Sequence, residues 1–217
     1  MYASDPNWIL KIFELMDGQF QVVPHKLTSS GLLFAALSPE APPFEEYFPG
    51  LVALLDRVDF TRLPFKRSLS YEGHFNWKTI VSNHGNYSRH IADPAKPDDG
   101  LFLYFFPICT LNVYGGGMTC FRVCPTEDPG ITRMEFDYYH EEDSNSEAFD
   151  NYFKFVRTVA LEDYELCEKA QMNLEKGVYS QGILNREKES GVIHYQQLVR
   201  QQVVDMFQQR QASSTTV

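Results

Sequence analysis

Basic side chains are in short supply. The 217 residues carry 19 Lys and Arg against 29 Asp and Glu, a net charge of −10. An acidic surface repels phosphate backbones and anionic headgroups, which excludes nucleic acid and membrane surfaces as partners. Long apolar runs are missing too: the most apolar stretch, LFLYFFPICTLNVY, is short and holds Pro107, so it fits no membrane span. The start, MYASDPNWILKIFELMDG, has neither a basic region nor a small-residue cleavage site, which predicts no signal peptide and a cytoplasmic protein. Cysteine is absent before Cys109, and Cys109, Cys120, Cys124 and Cys167 have no framework spacing, so they read as free thiols of a reducing compartment. Cys120 and Cys124 share one face of a predicted strand but stand too far apart to chelate one ion. Signatures of nucleotide binding and hydrolysis are lacking: Gly115-Gly116-Gly117 opens no helix and has no GxGxxG frame, and neither GxSxG nor HExxH occurs. No internal repeat is visible.

What is present describes an α+β domain. The length fits one large domain or two small ones, and 17 Phe with 12 Tyr suit strands around a roomy apolar interior. FQVVPHKL and GLLFAAL read as two short strands split by Thr28-Ser29-Ser30-Gly31. SPEAPPFEEYFPGLVALLDRV reads as a proline loop leading into one helix of about 12 residues. PFKRSLSYEGHFNW alternates, with Phe65, Arg67, Leu69, Tyr71 and Phe75 on one side and Lys66, Ser68, Ser70, Glu72 and His74 on the other, a strand with one wet face. After the turn-rich ADPAKPDDG come three β-prone runs, LFLYFFPICTLNVY, MTCFRVCP and ITRMEFDYYH, separated by Gly115–Gly117 and by TEDPG, an antiparallel meander. The rest is helical. SEAFDNYFKFVRTVALEDYELCEKAQMNLEKG has apolar residues at 149, 152, 153, 156, 159 and 160, then at 166, 167, 170 and 174, with Gly177 as a stop. A last helix turns Tyr195, Leu198, Val199, Val203 and Met206 inward, and QASSTTV forms a polar tail.

Asp163 carries the most information. By the i, i+3, i+4, i+7 rule it shares a face with Leu166, Cys167, Ala170 and Leu174, while Glu162, Glu165 and Lys169 point elsewhere. A carboxylate there needs a partner. A metal ion is one reading; an aspartate at a helix start, favoured by the macrodipole, is the other. His84 and His90 are six apart, not the four of a helical metal pair, and read as loop imidazoles. His25, His74, His140 and His194 have no clustered neighbour, and HEEDSNSE reads as a solvated acidic loop.

Taken in order, GLLFAALSPEAPPFEEYF, FNWKTIVSN, IADPAKPDDGLFLYFFPICTLNVYGGGMTCFRVCPTEDPGITRMEFDYYH and LEDYELCEKAQMNLEKGVYSQG resemble the α subunit of Rieske-type non-haem iron oxygenases, nearest its choline monooxygenase-like branch. The resemblance implies a helix-grip domain: a curved antiparallel sheet around a long helix, with C-terminal helices packed on it and a substrate cavity enclosed. It implies the end of a Rieske domain in residues 1–37, the catalytic domain in 38–210, and a disordered tail in 211–217. Family chemistry is hydroxylation of a small substrate, choline-like or aromatic, with O2 and with electrons passed from NAD(P)H through a reductase, in assemblies that are homo-oligomers. Its cofactors are a 2Fe-2S cluster and Fe(II) held by two histidines and a carboxylate, and Asp163 matches that carboxylate.

Two departures accompany the resemblance. In the family, Asn-Trp-Lys opens a helix that runs on to the two histidine ligands. Here the chain passes from Ser82-Asn83 directly into HGNYSRHIADP, which resembles a later strand. The ligand-bearing stretch is thus expected to be deleted between Ser82 and His84, and His84 and His90 are not expected to be the family ligands. The Cys and His pairs of the cluster are also absent from this sequence. These departures imply a chain with little oxygenase activity as it stands, or a non-catalytic helix-grip shell that binds a ligand or a partner.

Overall fold

The computed structural model describes residues 23–36, 38, 40–84, 100–178, 182–187 and 189–214, with the backbone alone described for 81–84 and 212–214. The chain divides into two compact units, Met1–Thr61 and Arg62–Val217.

In the first unit, β1 (His25–Leu27) and β2 (Leu33–Ala35) form the expected hairpin, with His25 opposite Ala35. Its turn needs Gly31, which has φ +100° and whose added Cβ would lie 2.7 Å from the Thr61 side chain. The single helix expected after the proline loop is instead two short ones, α1 (Phe44–Tyr47) and α2 (Leu51–Leu55). Pro49 and Gly50 break it: Pro49 cannot donate to the helical ladder, and Gly50 sits at φ +79°. Phe34, Phe44 and Phe48 gather around this break with ring centroids 4.8–6.0 Å apart.

The second unit is the α+β body. Its five antiparallel strands are β3 (Phe65–Gly73), β4 (Leu101–Phe105), β5 (Cys109–Tyr114), β6 (Gly117–Pro125) and β7 (Thr132–His140), in the order β3-β7-β6-β5-β4. The meander therefore holds, but LFLYFFPICTLNVY is a hairpin of two strands and not one run. The chain reverses at the cis Phe106-Pro107 bond and pairs Leu101 with Val113. β3 alternates as expected from Arg67 onward. A bulge between Phe65 and Arg67 puts Phe65 on the opposite face, beside Tyr139, where it is exposed.

Register fixes which side chains share the inner face: Leu69 opposite Phe136, Phe136 opposite Phe121, Phe121 opposite Thr110, and Thr119 opposite Tyr138. Across this face lies α4 (Glu147–Glu175), a helix of 29 residues capped by Ser146, whose hydroxyl accepts the Phe149 N–H. Phe149, Tyr152, Phe153, Val156 and Cys167 are its buried stripe. The Phe153 ring stands 4.9 Å from Tyr138 and lies under the Arg67 guanidinium at 4.6 Å. The hairpin glycines let α4 come close, since a Cβ on Gly117 would meet Tyr152 at 2.7 Å and His140 at 2.9 Å.

Leu166 and Leu174 do not share the buried face assigned to them with Asp163; both are exposed. The stripe keeps to a period of about 3.6 through Val156, Ala160, Asp163 and Cys167, and those leucines fall outside it.

α3 (Trp77–His84) and α5 (Ser190–Ser214) complete the unit. Tyr195 is buried among Trp77, Tyr104 and Phe106 at 6.3–6.4 Å, while Leu198 and Val199 are half-buried. Val203 and Met206, expected inward, are exposed. α5 also continues through Ser214, so the start of the supposed disordered tail is helical.

Candidate ligand cavity

Between the inner sheet face and the middle of α4 is a cavity of about 490 Å³. Phe102, Tyr114, Phe121 and Phe136 line it from the sheet, Ile80 from α3, and Phe155, Val156, Val159, Ala160 and Asp163 from α4. Thr110, Asn112 and Thr119 add the polar part of the wall. This volume lies in the usual range for small-ligand sites.

Alternation in Thr110-Leu111-Asn112-Val113-Tyr114 is what turns Thr110, Asn112 and Tyr114 to one face, as the register of β5 on β6 requires. The Thr119 hydroxyl is matched with the Tyr152 phenol at 2.7 Å. Thr110 Oγ1 and Asn112 Oδ1, in contrast, are buried with no hydrogen-bond partner among the described residues. Two polar atoms left unmatched on a cavity wall suit a ligand that has a polar end. Burial raises the pKa of the Tyr152 and Tyr138 phenols well above the ordinary value, so both stand neutral beside the cavity.

Asp163 is on the cavity wall, half-buried, and is the one charged side chain among the described residues that line it. The backbone of His84 closes α3, but its side chain is outside the described residues, as is all of His90. Among the described residues no group of three His, Cys, Asp or Glu side chains could hold a metal ion. The family's iron needs three protein ligands, and one carboxylate does not replace them. The described residues alone thus do not assemble a three-ligand Fe(II) site. No described helix is long and apolar enough to cross a membrane.

Residues of the Asn-Trp-Lys and Glu-x-x-Gln stretches have a different task, which the sequence pattern did not disclose. Glu168 accepts the His74 N–H at 3.1 Å and the Tyr164 hydroxyl at 2.6 Å, and Gln171 accepts the Asn76 N–H at 3.2 Å. Asn76 itself donates to the Pro129 carbonyl at 2.8 Å and accepts the Lys78 N–H at 3.1 Å, starting α3. Thr132 donates to the Phe75 carbonyl at 2.6 Å. The two motifs thus pin the turn between β3 and α3 against α4 and β7, which sets where Ile80 meets the cavity. His140, read as lacking a functional neighbour, is buried; its Nδ1 accepts the Glu142 N–H at 3.0 Å and its ring packs on Phe149 and Tyr152.

A fold of this kind is shared with known proteins. The family model for the ring hydroxylating alpha subunit (catalytic domain) matches residues 85–205. Solved structures of the quaternary ammonium Rieske monooxygenase CntA superpose well. Its complex with gamma-butyrobetaine has a TM-score of 0.63 at 22% identity, over 82% of this chain and 60% of that one. The L-carnitine complex has a TM-score of 0.62 at 21% identity, over 82% of this chain and 60% of that one. No curated protein matches in sequence. The chain belongs to the ring-hydroxylating α-subunit family and carries part of its catalytic domain. It spans about 60% of the solved chains it resembles.

Proposed function

We propose that this chain is a Rieske oxygenase catalytic-domain shell whose cavity takes a small quaternary ammonium compound, and that as it stands it binds this ligand with little or no turnover. One observation carries the ligand class: an aromatic cavity whose described lining holds a single charged side chain, and that one acidic. Ring faces attract cations by their quadrupole, most strongly when water is excluded, and a carboxylate adds to the same sign of potential. CntA, of like fold, has been solved with gamma-butyrobetaine and with L-carnitine, both quaternary ammonium substrates of that enzyme. In the full-length lineage the chemistry is O2-dependent hydroxylation fed by a reductase. In this chain Asp163 occupies the position of the iron carboxylate and acts as the anionic wall of the cavity.

Calorimetric titration with gamma-butyrobetaine and choline tests the ligand class against 3,3-dimethylbutanol, an uncharged isostere of choline. The cations bind at least about tenfold more tightly than the isostere, and Asp163→Asn removes most of that difference. Equal binding of cation and isostere overturns the cation reading. The lack of turnover has a separate check. After anaerobic incubation with Fe(II), wild type and Asp163→Ala both retain no stoichiometric iron, and with a reductase and NAD(P)H no hydroxylated product forms. One iron per chain, lost in Asp163→Ala, overturns it and makes His84 and His90 the first ligands to examine.

A further inference from the structure

The outer face of the sheet holds a pair of thiols that the cavity does not use. Cys109 on β5 stands opposite Arg122 of β6, and Cys120 on β6 stands opposite Leu111, so the two cysteines are diagonal neighbours across one strand pair. Their sulfurs are 3.8 Å apart, and both thiols are reduced. Two further groups face Cys120. The Arg122 guanidinium reaches its sulfur at 3.8 Å, and Asp137 lies directly opposite it on β7.

Two uses of such a pair can be weighed. A tetrahedral metal needs further ligands, and the nearby carboxylate is not free to be one: Asp137 accepts from Arg122 at 2.7 Å through one oxygen and from the Ser68 hydroxyl through the other. Covalent chemistry between the sulfurs needs nothing more than the pair itself. A disulfide bond is about 2.05 Å long, so the sulfurs must close from 3.8 Å to form one.

We propose that Cys120 and Cys109 form an oxidisable dithiol that reacts with a hydroperoxide, with Cys120 as the nucleophile and Cys109 as the resolving thiol. A hydrogen bond between the two thiols, in which either sulfur can donate, and the Arg122 guanidinium 3.8 Å away favour the Cys120 thiolate and hold its pKa below the ordinary thiol range against the effect of burial; with Cys109 as the donor, the same hydrogen bond and burial raise that of Cys109. In the first step the Cys120 thiolate attacks a peroxide oxygen. The S–O bond forms, the O–O bond breaks, and hydroxide or alkoxide leaves and takes up a proton. In the second step the Cys109 sulfur attacks the Cys120 sulfenic acid; the S–S bond forms, the S–O bond breaks, and water departs with the Cys109 proton. Two thiols are oxidised by two electrons in all, and one peroxide is reduced.

Reduced full-length chain, treated anaerobically with one equivalent of hydrogen peroxide and then alkylated under denaturing conditions, is digested and read by mass spectrometry. The expected product is a Cys109–Cys120 cross-linked peptide, with Cys124 and Cys167 still alkylated. In Cys109→Ser, Cys120 instead accumulates as a sulfenic acid that dimedone traps. A measurement on the unaltered chain guards against misfolding of the variant: at pH 7 native iodoacetamide labels Cys120 on the order of tenfold faster than Cys124. Equal labelling of Cys120 and Cys124, or a cross-link that leaves out Cys109 or Cys120, overturns the proposal.

Discussion

Glu168 is a carboxylate that accepts from two donors. The Tyr164 hydroxyl at 2.6 Å, and behind it the His74 N–H at 3.1 Å, favour its ionised form and hold its pKa below the usual carboxylate value of 4.5. The same bond to Glu168 pushes the Tyr164 phenol up to about 12. A depressed carboxylate contributes stability that is present above its unfolded pKa and lost as the pH falls through its folded one. Glu168→Gln keeps an oxygen to accept both bonds and removes only the charge. Wild type therefore melts above Glu168→Gln at pH 7, and the gap closes as the pH falls below the usual carboxylate value of 4.5. A gap that stays constant from pH 7 to pH 3 would assign the role of Glu168 to packing alone. At this scale the sequence was least informative. Asp163 was legible because an acidic residue interrupts an apolar stripe. The tasks of Glu168 and Gln171 were not legible, since their partners include backbone amides 94 and 95 residues away.

The elements themselves were more legible, for physical reasons that also explain the misses. Strand alternation survives in β6 and β7 because one face is buried under α4, and a slip of one residue would expose the whole set. LFLYFFPICTLNVY hid its reversal because a turn of Phe106 and Pro107 between two apolar strands leaves no polar punctuation. α5 departed from its expected stripe beyond Val199, where periodicity continues but no described core lies against it. α4 is the element on which the unit depends, and its two ends make different contributions. Phe153 is packed between Tyr138 and the Arg67 guanidinium, so Phe153→Ala costs about 3–5 kcal/mol in urea unfolding. Ser146 satisfies one amide at the first turn, so Ser146→Ala costs about 1 kcal/mol. A Phe153→Ala cost no larger than that of the cap would mean that α4 is held by its termini and not by the inner face.

For the molecule as a whole, the cavity and the body that surrounds it are one structure. Its wall is drawn from the sheet, α3 and α4, all within residues 62–217, so a ligand that fills it stabilises the same unit that must unfold. By linkage, a ligand at a hundred times its dissociation constant adds about 2.7 kcal/mol to that unit. Ala160 lies on the wall at mid-helix, where a larger side chain extends into open volume instead of into packed atoms. Ala160→Leu therefore leaves stability unchanged or raises it by up to about 1 kcal/mol, the worth of a buried methylene. It also removes the thermal shift that gamma-butyrobetaine gives the wild type. The two readouts move in opposite directions only if the ligand occupies this cavity. Loss of both stability and shift would mean that Ala160 is already close-packed. A shift that persists in a stable Ala160→Leu would place the bound cation elsewhere on the chain.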